Sequence, residues 1–432
     1  RFLFYKTIGK RFQNLCYNNT HRVIDIVLKG MENMKERRFE TEAVHVGYDS
    51  KEHLGSLSTP IYQTSTFTFE SAEQGERRFA GEEDGYIYSR LGNPTVTALQ
   101  DRIARLENGE AGLAFATGMA AVSATLIKLT KANEHILCSQ GLYGCTFGLL
   151  SIMEEKYNIQ SDFISMENEE QIREHILPET SVIYVETPIN PTMKIIDLEM
   201  VARVAKEYDI PVVVDNTFSS PYLQRPIDLG CDIVIHSATK YIGGHGDVVA
   251  GLVVGKEEFI SDMAMTTQKD IGGQMSPFDA WLLLRGLKTL SLRMDRHSQT
   301  AETIVGHLKA HPNVDKVYYP FDPDHPDYHI AKKQMRLGAG VISFKVRGGK
   351  KEAQNFLNQL SFLKIAVSLG DAETIIQHPA TMTHAVIPEE TREKMGISNT
   401  LIRMSCGLEA WEDIWEDLKQ SLDQIEVAEA TY

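Results

Sequence analysis

The sequence predicts an α/β protein, with a large domain on a mostly parallel sheet followed by a smaller α+β domain. Three observations carry this expectation. Between Leu91 and Gly255 short runs that are apolar on both faces alternate with helical patterns, as in parallel strands covered on both sides. Several of these runs close on a polar residue, as strands do when their carboxyl ends line a ligand crevice. After Gly273 the pattern changes to long helix mixed with isolated strand-like runs.

Residues 1–30 hold six basic residues (Arg1, Lys6, Lys10, Arg11, Arg22, Lys29) and one acidic residue, Asp25. The stretch is basic like a transit peptide, yet it has no serine and lacks the apolar block and small-residue cleavage site of a secretory signal. It is expected not to belong to the functional protein, since segments of globular character begin only after Met31 and Met34. Residues 31–90 have few regular patterns but many turn formers and aromatics, among them Tyr62, Phe67, Phe69, Phe79, Tyr86 and Tyr88. They read as an extended arm that buries its rings either on a neighbouring subunit or on its own chain.

The large domain is assigned to residues 91–275. Its expected strands are Leu113 to Thr117, His135 to Cys138, Ser181 to Glu186, Pro211 to Asp215, Ile233 to Ser237 and Val249 to Val254. Helical patterns cover Pro94 to Glu107, Gly118 to Lys131 and Leu198 to Tyr208. In the small domain, residues 276–432, one long helix is expected over Ser276 to Ala310. Strands follow at Val314 to Tyr319, Gly340 to Lys345 and Leu401 to Met404, with helices at Lys351 to Leu360 and from Ala410.

Lys and Arg number 44 against 59 Asp and Glu, a formal net charge of -15, so no global field favours nucleic acid or an anionic membrane. No apolar run reaches the roughly 18 residues of a membrane span. The five cysteines (Cys16, Cys138, Cys145, Cys231, Cys406) include no C-x-x-C pair, which argues against disulfides and structural zinc and suits a reduced cytosol. The histidines form no H-E-x-x-H or similar pattern, so no metal site is expected. Neither a P-loop nor a dinucleotide-binding glycine motif is present. A small-molecule role remains.

The chemistry sits at the strand ends. Leu113-Ala-Phe-Ala-Thr117 runs into Gly118-Met119 at a helix start, where unpaired N–H groups suit a phosphate, or where the glycine serves only a tight turn. Asp215 closes four apolar residues, either as a helix cap or as the partner of a cationic or N–H group. Ile233-Val-Ile-His-Ser237-Ala-Thr239-Lys240 puts a lysine directly after a buried strand, which is costly unless it is paired, neutral or covalently used. An aspartate at one strand end, a lysine at another and hydroxyls between are the parts that pyridoxal phosphate needs.

With these residues the sequence resembles the Cys/Met-metabolism family of pyridoxal-phosphate enzymes, of the aspartate-aminotransferase fold type I. The likeness runs from about Arg38 to the end. It rests on Tyr86-Ile-Tyr88-Ser-Arg90-Leu-Gly-Asn93-Pro94-Thr95, Glu186-Thr-Pro-Ile-Asn190-Pro-Thr192, Val214-Asp215-Asn216-Thr217-Phe218, Ser237-Ala-Thr239-Lys240-Tyr241 and Arg403-Met-Ser-Cys-Gly407-Leu-Glu409. The resemblance implies that Lys240 carries the cofactor as a Schiff base and moves protons, and that Asp215 faces the pyridine nitrogen. It implies that Gly118, Met119, Thr217, Ser237 and Thr239 hold the cofactor from one subunit. Tyr88 and Arg90 are similar to the phosphate ligands that the family donates from the neighbouring subunit. Tyr143 looks like the ring-stacking tyrosine that protonates departing sulfur, and Arg403 like the arginine that grips the substrate carboxylate, with Ser368 and Asn190 beside it.

Three features point within the family toward methionine γ-lyases. Cys145 follows Tyr143 by two residues where cystathionine-handling relatives commonly have glycine, and it is placed with the catalytic residues for that reason. Gln268-Lys269-Asp270 is similar to the methionine γ-lyase triplet. Val367 precedes Ser368 where cystathionine γ-lyases have a glutamate, and an apolar wall suits a thioether better than a charged tail. The resemblance therefore implies a cytoplasmic homotetrameric lyase, built from dimers that share active sites. It would convert L-methionine and homocysteine to 2-oxobutanoate, ammonia and a thiol or hydrogen sulfide. The alternatives are a cystathionine γ-lyase and an O-acylhomoserine sulfhydrylase.

Overall fold

A computed structural model describes residues 37–385 and 388–425. The basic residues 1–30, and the expectation attached to them, lie outside the described residues. The stretch before Arg90 is not simply extended: it contains the helices Phe39–His45 and Ala72–Ala80 and a single 3-10 turn, Ser50–His53. Phe39 and Ala43 join the core around Leu99 and Ile103, and Arg102 donates to the Val46 carbonyl at 2.8 Å. Further along, Leu54, Leu57 and Phe79 are exposed on this chain.

Seven strands form the larger sheet: β1 Ala111–Phe115, β2 His135–Ser139, β3 Gln160–Ile164, β4 Thr180–Glu186, β5 Val212–Asp215, β6 Ile233–Ser237 and β7 Gly251–Gly255. Their order is β1-β7-β6-β5-β4-β2-β3. Neighbours from β3 through β2, β4 and β5 to β6 run parallel, whereas β7 is antiparallel to both β6 and β1. Val182, Ile183, Val213, Val214, Val234 and Ile235 are fully buried, in keeping with a sheet covered on both faces. Each such side chain contributes roughly 1.5–3 kcal/mol by leaving water. Strand β3 was not anticipated: Gln160-Ser-Asp-Phe-Ile is mostly polar because it is the exposed edge.

The covering helices begin where the sequence supplies caps. Asn93, Thr117 and Asp197 each accept an N–H of the helix that follows, and Pro94 adds a preset first turn to the helix Pro94–Leu106. The single helix expected over 276–310 is two, Pro277–Leu287 and Leu290–Ala310. At the break the Gly286 carbonyl accepts from Arg293 at 2.8 Å, so a distant side chain satisfies the freed group. A second sheet follows, with β8 Val314–Tyr318, β9 Val341–Val346, β10 Lys364–Ile365, β11 Ile375–Gln377 and β12 Leu401–Ser405 in the order β10-β11-β12-β9-β8. Only β10 and β11 are parallel in it. This is fold type I: a mixed, mostly parallel sheet flanked by helices, plus a second smaller sheet. No described helix is long and apolar enough to cross a membrane.

Candidate active site

Because β4, β5 and β6 are parallel neighbours in register, their carboxyl ends bring Glu186, Asp215 and Ser237 to one edge of the sheet. The loop after β6 carries Thr239 and Lys240, and the Gly118–Leu129 helix starts beside them. Across the gap stand the segment before β11 and the residues of β12. Between them lies a cavity of about 320 Å³ lined by Gly118, Met119, Tyr143, Asn190, Asp215, Thr217, Ser237, Thr239, Lys240, Val367, Ser368 and Arg403.

Thr217 organises the sheet side. Its N–H donates to Asp215 Oδ1 at 3.1 Å, its hydroxyl donates to the same oxygen, and it accepts the Ser237 N–H at 2.8 Å. Burial drives the Asp215 carboxyl above its usual range, and the two Thr217 hydrogen bonds oppose that by favouring its charge. Thr117 caps the adjoining helix through the Ala120 N–H, which leaves the N–H groups of Gly118 and Met119 without a carbonyl one turn earlier. A Cβ on Gly118 would stand 2.9 Å from Ser237 Cβ, so a side chain there would fill the cradle between helix start and strand end. Thr239 takes part from behind, its hydroxyl accepting the Ala250 N–H at 3.0 Å.

Lys240 donates from Nζ to Ser368 Oγ at 3.0 Å. Burial, and then the nearby Arg403 charge, hold its ammonium below the usual lysine range, while Asp371 pulls the other way. Arg403 is 4% exposed and fixed on several sides. It donates from Nη1 to Asn190 Oδ1 at 2.8 Å and from Nη2 to the Ser368 carbonyl at 2.5 Å. With its amide oxygen turned toward the guanidinium, Gln377 accepts from it at 3.1–3.3 Å. Burial lowers Arg403 to about 10. Among the described residues no carboxylate bonds to it, which leaves a buried cation facing a pocket.

Tyr143 precedes the helix Gly144–Tyr157, and its N–H donates to Glu186 Oε2 at 2.8 Å. The Cys145 thiol, foremost, and burial push the Tyr143 phenol up to about 12. Cys145 is exposed, so it is not the small buried core residue that a lone cysteine most often is. Val367 is 60% exposed on the cavity wall.

Two expected ligands lie elsewhere on this chain. Tyr88 and Arg90 are not among the cavity's lining residues; Arg90 sits over the Tyr88 ring at 5.7 Å and donates to the Lys269 carbonyl at 2.7 Å. Lys269 and Asp270, paired at 3.5 Å, therefore stand in the same outlying cluster. Sequence reasoning assigned no role to the Glu186 carboxyl, to Gln377 or to Thr146 and Thr383 of the wall. Glu186 carried the signal that marked Asp215, a polar residue closing an apolar run. Among the described residues no group of three His, Cys, Asp or Glu side chains gathers as a metal would require.

The donor set fits pyridoxal phosphate. A cradle free of side chain at Gly118, hydroxyls at Ser237 and Thr239, a buried carboxyl at Asp215 and an amine at Lys240 converge on one cavity. Residues 40–423 match the family model described as Cys/Met metabolism PLP-dependent enzyme. The chain is 49% identical over 394 residues to an L-methionine gamma-lyase of Fusobacterium nucleatum subsp. nucleatum, covering 91% of this chain and 100% of that protein. It is 47% identical over 396 residues to an L-methionine gamma-lyase of Porphyromonas gingivalis, covering 91% and 99%. The crystal structure of cystathionine gamma-lyase from Lactobacillus plantarum complexed with L-serine superposes with a TM-score of 0.84 at 41% identity, over 90% of this chain and 99% of that one. With motif, cavity and relatives in agreement over nearly its whole described length, the chain belongs to the Cys/Met metabolism family of enzymes that depend on pyridoxal phosphate.

Proposed function

We propose that this lyase acts as an L-methionine γ-lyase, splitting L-methionine with water into 2-oxobutanoate, ammonia and methanethiol, and homocysteine into the same keto acid with hydrogen sulfide. The observation that carries the reading is an apolar residue, Val367, on the cavity wall next to Ser368, a surface that suits a thioether better than a charged distal group. Identities of 47–49% to two methionine γ-lyases support it.

Bound pyridoxal phosphate supplies an electron sink next to the substrate's Cα and Cβ. Lys240 would hold it covalently; Asp215, kept in place by Thr217, would face its ring nitrogen; Gly118, Met119, Ser237 and Thr239 would surround its phosphate. Arg403, aimed by Asn190 and the Ser368 carbonyl, binds the substrate carboxylate as a bidentate pair. That grip sets Cα near Lys240, whose amine has a depressed affinity for protons and is suited to take one from Cα. Ser368 Oγ, 3.0 Å from Nζ, steadies the amine between transfers. Tyr143 keeps its phenolic proton through neutral pH, as a group that protonates departing thiolate must. Cys145, beside that phenol but not itself lining the cavity, would act on the methylthio end through Tyr143.

Tyr88 and Arg90 would complete the phosphate site of a neighbouring subunit, with the arm of residues 31–90 as the element that reaches across. The active unit is then a homotetramer of dimers that share sites, acting in the cytoplasm on a small sulfur amino acid. Residues 91–275 and 276–432 would be its two domains. The second reading, a cystathionine γ-lyase, draws on the 41% identity to the Lactobacillus plantarum enzyme. Comparing kcat/KM for L-methionine and L-cystathionine with cofactor present decides between them: methionine ahead supports the proposal, and cystathionine ahead by more than tenfold overturns it.

A further inference from the structure

Glu186 is 4% exposed, and among the described residues no salt bridge and no side-chain donor reaches its carboxyl. Its partners are backbone instead: Oε2 accepts the Tyr143 N–H at 2.8 Å, and the Asn190 N–H lies near enough to favour the charge on the carboxyl. Its own N–H is held by Ser139 Oγ at 3.0 Å, which anchors the residue to β2. These two amides belong to different walls of the cavity. One carries Tyr143 and, two residues on, Cys145; the other carries the Asn190 side chain that accepts from Arg403 at 2.8 Å. We propose that Glu186 is a positioning residue that clamps the Tyr143–Cys145 segment to the Asn190 loop, so that the leaving-group side and the carboxylate grip of the site keep one geometry.

The placement has a physical cost that a purely structural residue would not justify. Glu186 and Asp215 are register partners on β4 and β5 and line the same cavity, so two acidic groups share a buried space. A hydrophobic side chain would pack there without that cost but could accept neither amide. A carboxyl can accept both, whereas the isosteric glutamine keeps one acceptor oxygen and carries an N–H donor in place of the other.

The inference rests on the roles given to Tyr143 and Arg403 above, so its test is chosen to be readable without turnover. Amide hydrogen exchange is followed by mass spectrometry on the apo forms of the wild type, Glu186→Gln and Glu186→Ala. In Glu186→Ala, peptides holding Tyr143 and Asn190 should exchange at least tenfold faster while those of β5 and β6 stay at wild-type rates, and Glu186→Gln, with its one acceptor oxygen, should restore protection at one of the two amides. With cofactor and substrate, Glu186→Ala should both raise KM and lower kcat, and Glu186→Gln should fall within about tenfold of wild type in kcat/KM. Wild-type exchange at both amides in Glu186→Ala overturns the proposal, as does faster exchange spread evenly over the sheet, which marks a general packing role. If Glu186→Ala does not fold, Glu186→Gln decides: exchange at both amides more than tenfold above wild type refutes the clamp, and protection kept at one amide with faster exchange at the other supports it. Wild type that releases nothing from methionine while the exchange pattern holds would refute the substrate reading and leave the clamp standing.

Discussion

Replacing Arg403 by lysine keeps the charge and removes the fork. The guanidinium is spread over Asn190 Oδ1 at 2.8 Å and the Ser368 carbonyl at 2.5 Å, with the Gln377 amide behind it. This leaves a flat edge toward the cavity that can offer two parallel N–H groups to a carboxylate. An ammonium in the same place cannot reach both protein acceptors and also present two donors. A hydrogen bond to a charged group contributes roughly 1.5–3 kcal/mol. Loss of one of the pair therefore lowers kcat/KM about 10- to 100-fold, at about 1.4 kcal/mol per tenfold. Arg403→Ala loses both and orphans Asn190 and the Ser368 carbonyl, so the expected loss is about 10²- to 10⁴-fold. The assay is steady-state release of 2-oxobutanoate from methionine, with cofactor content measured by absorbance in parallel. Most of the change should fall on KM, and cofactor content should stay at the wild-type level, since the residues read as holding the cofactor do not include Arg403. An Arg403→Lys enzyme within threefold of wild type would refute the bidentate grip.

Other predictions test the remaining parts. Val367→Glu should move the methionine-to-cystathionine preference about 10- to 200-fold toward cystathionine, and Cys145→Gly should move it the same way with cofactor binding intact; unchanged ratios by the same kinetics would show that neither residue sets specificity. Lys240→Ala and Arg90→Ala should each be inactive alone, yet regain activity when unfolded and refolded together, because a mixed dimer contains one site with both residues intact; no recovery would place Arg90 outside any shared site. Burial and Asp215 push the Glu186 carboxyl up to about 8, so the apo fold holds a proton that the unfolded chain releases near the ordinary carboxylate value. That group favours the folded state at low pH and loses this advantage as pH rises to about 8. The melting temperature of apo Glu186→Gln should therefore gain on wild type between about pH 5 and 8, and a constant difference in thermal scans would contradict the shift.

The central strands were legible because parallel strands buried on both faces have nearly continuous apolar runs, as in Val212–Asp215 and Ile233–Ser237. The same logic hid β3, an edge strand whose exposed positions permit Gln160, Ser161 and Asp162. The break between Leu287 and Leu290 left no proline to mark it: the Gly286 carbonyl is taken up by Arg293, seven residues on. Within the site, Lys240 and Asp215 stood out as polar residues that end apolar strands. Glu186 ends β4 in the same way, but its partners are backbone amides 43 positions earlier and four later, which no local pattern displays. Gln377 is hidden for a related reason: its meaning comes from β11 pairing with β12, which sets it directly beside Arg403. Spacing revealed residues that act through their own chemistry and passed over those that act by holding another residue still.

The most direct test of the account is the product balance from L-methionine alone. Purified protein saturated with pyridoxal phosphate is given methionine, and methanethiol is trapped while 2-oxobutanoate is measured in the same sample. The two should appear in equal amounts, with loss of both in Lys240→Ala. Neither product from methionine, with 2-oxobutanoate released readily from cystathionine, would contradict it and assign the Val367 wall to a different substrate.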